Sequence, residues 1–508
     1  MHSGTTTLLP NGKVLVTGPP LDFYTNSAVL YNPATASWEV TGSLSLARMH
    51  HTATLLPDGK VLVAGGAGPP HVAPAELYDP DLGRWAKTGF LNIVRNYHTA
   101  TLLLNGKVLV AGGGLDAASP TELYDPLRET WTSTGTLNVN RYQHSATLLL
   151  DGRVLVAGGW EVSSAELYDP ATGKWTLTGS MSTARSQHTA TLLPTGQVLV
   201  AGGAGSASLA SAELYDPAQG RWHTTSSMNQ DREAHSANLL SNGSVLVAGG
   251  LHSPTNGSVY MLSSAELYDP CNGEWTLTAP MPIASDQLTG VLLPNQMVLV
   301  VGTRSLFPSS TLIAHLYDAG LNASTAWRPH IAAATSPLSL GASLTLTGSG
   351  FRGVSAASGG NSQDSATDYP LVQLRSLESG QTTFLLSANW QTNSFTSAPV
   401  WGFPPGYALA TVFVNGIPST GAVVNISIPV PTPTTLTGAR TLTNGAFQFT
   451  FTNSVGALLG VLATTNPALP LSNWTALGGV TEVSPGQFQF TDPQSTNIAR
   501  RFYRLRSP

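Results

Sequence analysis

Five times along the chain an arginine stands three residues before a histidine: Arg48 and His51, Arg95 and His98, Arg141 and His144, Arg185 and His188, Arg232 and His235. Histidine is the commonest metal ligand, so five of them at a regular interval have the make-up of a metal centre. The same stretches carry a glutamate further on, at Glu76, Glu122, Glu166, Glu213 and Glu266. Where the pattern ends, all three positions change together, to Ser285, Leu288 and His315; at the start of the chain the glutamate position is Val29. An acid that disappears with its base points to an Arg–Glu pair, with the histidine in the same network. A charge held at a packed strand end needs such a partner. Repetition in every regular unit marks architecture, because a ligand site breaks symmetry. The expectation is a structural network that holds no metal and no cofactor.

Other catalytic constellations are missing. The sequence has no G-x-S-x-G elbow, no H-E-x-x-H and no phosphate loop. Its aspartates fall mostly in Asp-Pro turns, where turn initiation accounts for them. Candidate binding residues are those that break the repeat: Asp22, Phe23 and Tyr24, Tyr97, Tyr142, Trp160 and Glu161, Asp231, His252 and Tyr260, Asp286, Arg304 and Phe307. Aromatic rings beside a few polar groups suit a sugar ring or a peptide, through stacking and hydrogen bonds. Asp231 and Asp286 are the pair to examine for acid/base cleavage of a glycan, which needs carboxylates about 5–10 Å apart.

A repeat positions all of these residues. From Arg48 to Trp85 the chain reads HTATLLPDGKVLVAGG, then AELYDP, then DLGRW, and similar units end on Trp131, Trp175, Trp222 and Trp275. Degenerate units open the array (His2 to Trp38) and close it (Leu288 to Trp327), which makes seven. A period of this size means a propeller or a solenoid. Each unit encodes four antiparallel strands. HTATLL runs to an Asp-Gly or Asn-Gly dipeptide that favours a type I′ hairpin, with positive φ at both central residues. KVLVAGG reads as a strand buried on both faces, its glycines leaving room for close packing. AELYDP ends in a turn, and the tryptophan opens a fourth strand with its ring between neighbouring units. In this topology the loops between strands two and three share one face with the loops between units. The candidate binding residues lie in those loops.

The paired glycines, the tyrosine and the tryptophan seven residues after it resemble the kelch repeat family over about residues 1–328. The resemblance implies an all-β fold led by a seven-bladed β-propeller. Kelch propellers include galactose oxidase as well as many non-catalytic interaction domains, so fold alone does not set function. The copper site of galactose oxidase takes two tyrosines, two histidines and a cysteine cross-linked to one tyrosine. Here Cys271 follows Asp269-Pro270 in a hairpin on the opposite face, Tyr97-His98 falls in the repetitive histidine position, and no histidine follows His330. The resemblance stops short of the copper site.

Beyond Arg328 the repeat gives way to Ser, Thr, Gly and Leu. Residues 329–428 read as an immunoglobulin-like sandwich, opened by LSLGASLTLTGSGFRG. Within them WGFPPGYALATVFVNGIPS resembles part of the C-terminal domain of galactose oxidase. Residues 429–508 hold a Pro/Thr linker and a small β-module, which resembles terminal modules of secreted bacterial proteins and would serve surface attachment. Across 508 residues only 10% are charged and the net charge is −5, with no basic stripe, so nucleic acid is not an expected partner. Arg500, Arg501, Arg504 and Arg506 read as a solvated strand. No apolar run reaches about 18 residues, which excludes a membrane-spanning helix. Met1 falls inside the first repeat, so the expectation is a true start, with an export signal, further upstream. Together these readings point to an extracellular or cell-surface binding protein whose loop face takes a glycan or a protein. The alternative is a carbohydrate-active enzyme, either a galactose oxidase-like oxidase or an acid/base glycan-cleaving enzyme.

Overall fold

The computed structural model of the protein describes residues 4–18, 26–68, 74–113, 120–306, 309–318, 328–352, 358–359, 370–414, 417–427, 436–453, 459–470, 473–484, 486–492 and 501–506. Strands account for its regular elements, and no α-helix occurs among the described residues. None of them therefore forms a helix able to cross a membrane.

From Thr5 to Tyr317 the described strands form seven consecutive antiparallel sheets of three or more strands, and a separate two-stranded ladder, Leu251–His252 with Tyr260–Met261, is inserted in the sixth. The second sheet is typical, with Thr52–Leu55, Val61–Ala64, Glu76–Asp79 and Arg84–Lys87 side by side in sequence order. The seventh has three described strands, Asp286–Leu292, Val298–Leu306 and Ser309–Tyr317; the expected fourth, at Trp327, lies outside the described residues. The first strand of each sheet neighbours the first strand of the next, and Asp286–Leu292 returns to Thr5–Leu8. The sheets thus close into a ring with the first strands innermost.

The sequence accounts for this packing. The second strands, such as Val61–Ala64 and Val154–Ala157, are buried at every residue, as their unbroken apolar runs require. Each tyrosine of AELYDP pairs across its hairpin with the tryptophan, as at Tyr78 and Trp85, with ring centroids 5.0 Å apart. Both rings then bond the preceding sheet: the Tyr78 hydroxyl meets Thr41 Oγ1 at 2.6 Å, and Trp85 Nε1 donates to the Gly42 carbonyl at 2.8 Å. Trp38 in the first sheet is 41% exposed.

The Asp-Gly hairpins differ from expectation. At Leu56–Lys60 only Gly59 has positive φ, +84°, while Gly59 N donates to Leu56 O and Leu56 N to Lys60 O. This is a β-turn followed by one left-handed glycine, the three-residue hairpin rather than type I′. The hairpins at Gly106, Gly152 and Gly243 take the same form with Leu104, Leu150 and Ser241 in place of Pro57, so the three-residue loop belongs to the repeat and not to the proline.

Two further layered units follow. The sheets ordered His330–Ala334, Ser343–Ser349, Ser394–Pro399, Ser387–Gln391 and Leu338–Ser339, Ala422–Ser427, Gly406–Val414, Leu371–Ser376, Thr382–Leu385 enclose a shared core that includes Leu346, Phe351, Phe395 and Val424. This sandwich docks on the hairpin tips of the ring. Leu371, Phe384, Trp390 and Phe413 join Leu9, Leu15, Leu55 and Val61 in a single cluster, and Phe384 lies against the Gly12 turn. Its Ser358–Gly359 also pairs with Thr189 and Ala190 on the inner strand of the fifth sheet. The last unit packs Phe449, Phe451, Val461 and Phe488 between two small sheets. There Arg501 is not solvated: its side chain is 9% exposed and holds Asp492 at 2.7 Å.

Candidate functional site

The five Arg–Glu pairs form within single sheets. Arg48 Nη2 meets Glu76 Oε1 at 2.6 Å, and the equivalent distances are 3.0, 2.8, 3.1 and 2.8 Å around the ring. Each arginine also donates to the carbonyl that follows its second strand, as Arg141 does to Gly158 O at 2.9 Å. Glu166 accepts four donors: Asn138 N and Nδ2 on Oε2, Val139 N and Arg141 Nη2 on Oε1. Burial draws the arginines below their ordinary pKa, and the glutamates offset part of that pull.

The histidine rings reach across to the neighbouring sheet, while His51 and His188 also bond the backbone of Arg48 and Arg185. Nε2 of His98 meets Thr52 Oγ1 of the preceding sheet at 3.0 Å, and His144, His188 and His235 do the same with Thr99, Ser145 and Thr189. His51 meets Thr17 at 2.8 Å. They are inter-sheet staples, seated under glycines of the sheet before: a Cβ on Gly65 would lie 2.5 Å from His98 Cε1. Full burial holds all five far below the ordinary histidine pKa, His98 and His188 at about 3. Among the described residues no three such side chains are grouped to hold a metal ion.

Just before each of the five staples, and before Leu288 at the equivalent place, one residue takes a left-handed backbone with φ of 50–54°: His50, Tyr97, Gln143, Gln187, Ala234 and Gln287. Their main chains form a belt from sheet to sheet, Tyr97 N to His50 O, Gln143 N to Tyr97 O, Gln187 N to Gln143 O and Ala234 N to Gln187 O, at 3.1–3.3 Å. Strained φ at six equivalent places is held by the ring itself. This belt sets the floor of the loop face. Tyr97 belongs to it and is stacked on His50 at 3.9 Å, so its ring is half-buried rather than presented.

The remaining candidates gather in two places. Tyr142 and Trp160 lie nearly parallel, 10° apart with centroids 6.4 Å apart, and are 38% and 49% exposed. Trp160 N donates to Tyr142 O, and Glu161 beside it is exposed with φ +57°. Two sheets further round, His252 Nδ1 bonds Asp231 at 2.9 Å and its ring meets Tyr260 at 4.7 Å. Ser208 also donates to Asp231, and Ser253 Oγ to Glu233 at 2.7 Å. Burial raises the Glu233 pKa, with Ser253 working against it.

Asp286 begins the strand Asp286–Leu292, pairs with Thr303 and is 5% exposed. Its place in the repeat is that of Glu233, which bridges to Leu251 as Met49 does to Ala67 and Ser186 to Ala204. Arg304 lies in the strand Val298–Leu306 with its side chain outside the described residues, as are Asp22, Phe23, Tyr24 and Phe307. Ser208, Ser253 and Glu233 went unread in the sequence. Glu233 carried a signal, because its position holds Met49, Asn96, Tyr142 and Ser186 in other units.

The Kelch motif family model matches residues 141–182, which span the fourth sheet and include Tyr142, Trp160 and the Arg141–Glu166 pair. A search of curated proteins returned no match. The motif and the run of antiparallel sheets support a kelch-type β-propeller, and Kelch repeats suggest a protein-interaction module.

Proposed function

We propose that the seven sheets are the blades of one kelch propeller and that its loop face binds a protein partner, with Tyr142 and Trp160 as the anchor. The observation that carries this reading is the near-parallel pair of exposed rings, which breaks the repeat on the loop face. Large rigid rings supply contact area at low entropic cost, and hot spots are enriched in them. A glycan stacked on the same rings is the other ligand such a pair accommodates. The sandwich would be immunoglobulin-like, as in the galactose oxidase architecture, and the last module would attach the protein at an extracellular or cell surface.

The test pairs affinity capture and a glycan array with the double variant Tyr142→Ala/Trp160→Ala. A specific partner lost on the double variant, with melting temperature unchanged, supports the reading. A partner that ignores both changes moves the binding surface elsewhere. A second, enzymatic reading rests on the Asp231–His252 pair, since a carboxylate on Nδ1 orients Nε2 for general-base work. Release of reducing ends from a polysaccharide, abolished by His252→Ala, would favour it.

A further inference from the structure

On the side away from the loop face, a cavity of about 700 Å³ separates the hairpin tips of the second and third sheets from the sandwich. One wall is made by turns that include Leu104, Asn105 and Leu127; the other is the stretch Ala388 to Thr392. That stretch lies on the last strand of its sheet, so its outer edge has no neighbouring strand in that sheet. Trp390 lines the cavity and packs against both the sandwich core and the mixed cluster, which fixes its ring in place.

The chemistry of the walls selects a ligand class. Lys107 and Arg128 both hold Asp125, at 3.3 and 2.9 Å, and the other charged residues of the wall, Asp58 and Arg352, are of opposite sign, so the cavity presents no one-signed field to a phosphate group. The other polar groups include the amides of Asn105, Asn389 and Gln391, which both donate and accept. Asn389 and Gln391 are exposed, as are Leu104 and Leu127. A fixed indole, amides that bond hydroxyls either way, and aliphatic rims together match a molecule with apolar ring faces and many hydroxyl groups. The volume falls within the usual range of ligand pockets, about 300–1,000 Å³.

We propose that this cavity is a saccharide site, separate from the loop face. It takes a short neutral oligosaccharide with one sugar ring on Trp390 and hydroxyls on Asn389, Gln391 and Asn105. The test is calorimetric titration of the full chain with the tetrasaccharides of cellulose, xylan, mannan, chitin and galactan. At least one should bind with Kd of about 1 mM or tighter. The exposed double variant Asn389→Ala/Gln391→Ala should weaken that binding roughly tenfold without moving the melting temperature, and Trp390→Phe should weaken it less. Trp160→Ala should leave it unchanged, which separates this site from the loop face. No heat with any probe at about 10 mM overturns the proposal. Binding that survives the double variant, or that falls with Trp160→Ala, also overturns it.

Discussion

At the scale of single residues, the buried ion pairs are positional rather than generic. Glu166 receives four donors and gives none, which only a carboxylate can do. A glutamine there turns an NH2 toward a backbone N–H or a guanidinium and leaves Arg141 buried without a counter-charge. We expect Glu166→Gln to cost about 3 kcal/mol of unfolding free energy, read by denaturant titration, with ligand binding at the folded protein unaffected. An unchanged midpoint would refute the pairing argument. This pairing was legible because one chain supplies five copies and two exceptions, Ser285 with His315 and Val29. The histidine partners were not legible. Thr52, Thr99 and Thr189 read as ordinary strand residues, and nothing in their spacing says that they face the next sheet. The candidate site divides in the same way. Trp160 and Tyr142 stood out because they break the repeat, but their meeting depends on a contact between two loops. Asp286 shares its repeat position with Glu233 and Tyr142 but is 5% exposed, a burial that its spacing does not announce.

At the scale of elements, those histidines decide how the sheets respond to acid. All five are neutral in the folded ring, with pKa values held far below the unfolded value of about 6.5. Above that pH neither state binds the proton, and the histidines leave stability flat. Below it the unfolded chain takes up protons that the fold refuses, so stability falls with pH until about 3, where His98 and His188 protonate in place. The loss should approach about 1.4 kcal/mol per pH unit for each histidine. Denaturant unfolding at a series of pH values checks this, and His188→Gln should remove one proton from the uptake. A stability curve without slope below pH 6 would mean that the rings are charged or accessible. Strand identity and order within each unit follow from the two-residue alternation and the apolar runs. The hairpin type does not, because the Asp-Gly and Asn-Gly dipeptides also fit the last two positions of a three-residue loop with one left-handed glycine, the form taken at Gly59, Gly106, Gly152 and Gly243.

At the scale of the whole molecule, the ring and the sandwich share a hydrophobic cluster. Phe384 fills the surface of the Gly12 turn, and Leu371, Trp390 and Phe413 lie with Leu9, Leu15, Leu55 and Val61. The change in composition at Arg328 announces a new unit, but the docking depends on residues hundreds of positions apart whose types suit any core. Apolar contact of this kind should couple the two parts in unfolding. Scanning calorimetry is therefore expected to give one main transition for ring and sandwich together. Phe384 is half-buried, so Phe384→Ala should cost about 2 kcal/mol, less than the 3–5 of a fully enclosed ring. It should also split the transition in two, since the interface is weakened while each core is left whole. Two transitions in the unaltered protein would mean that the cluster does not hold the parts together. The wall carrying Trp390 would then have no fixed opposite side, and the cavity beside it could not keep the shape that its ligand requires.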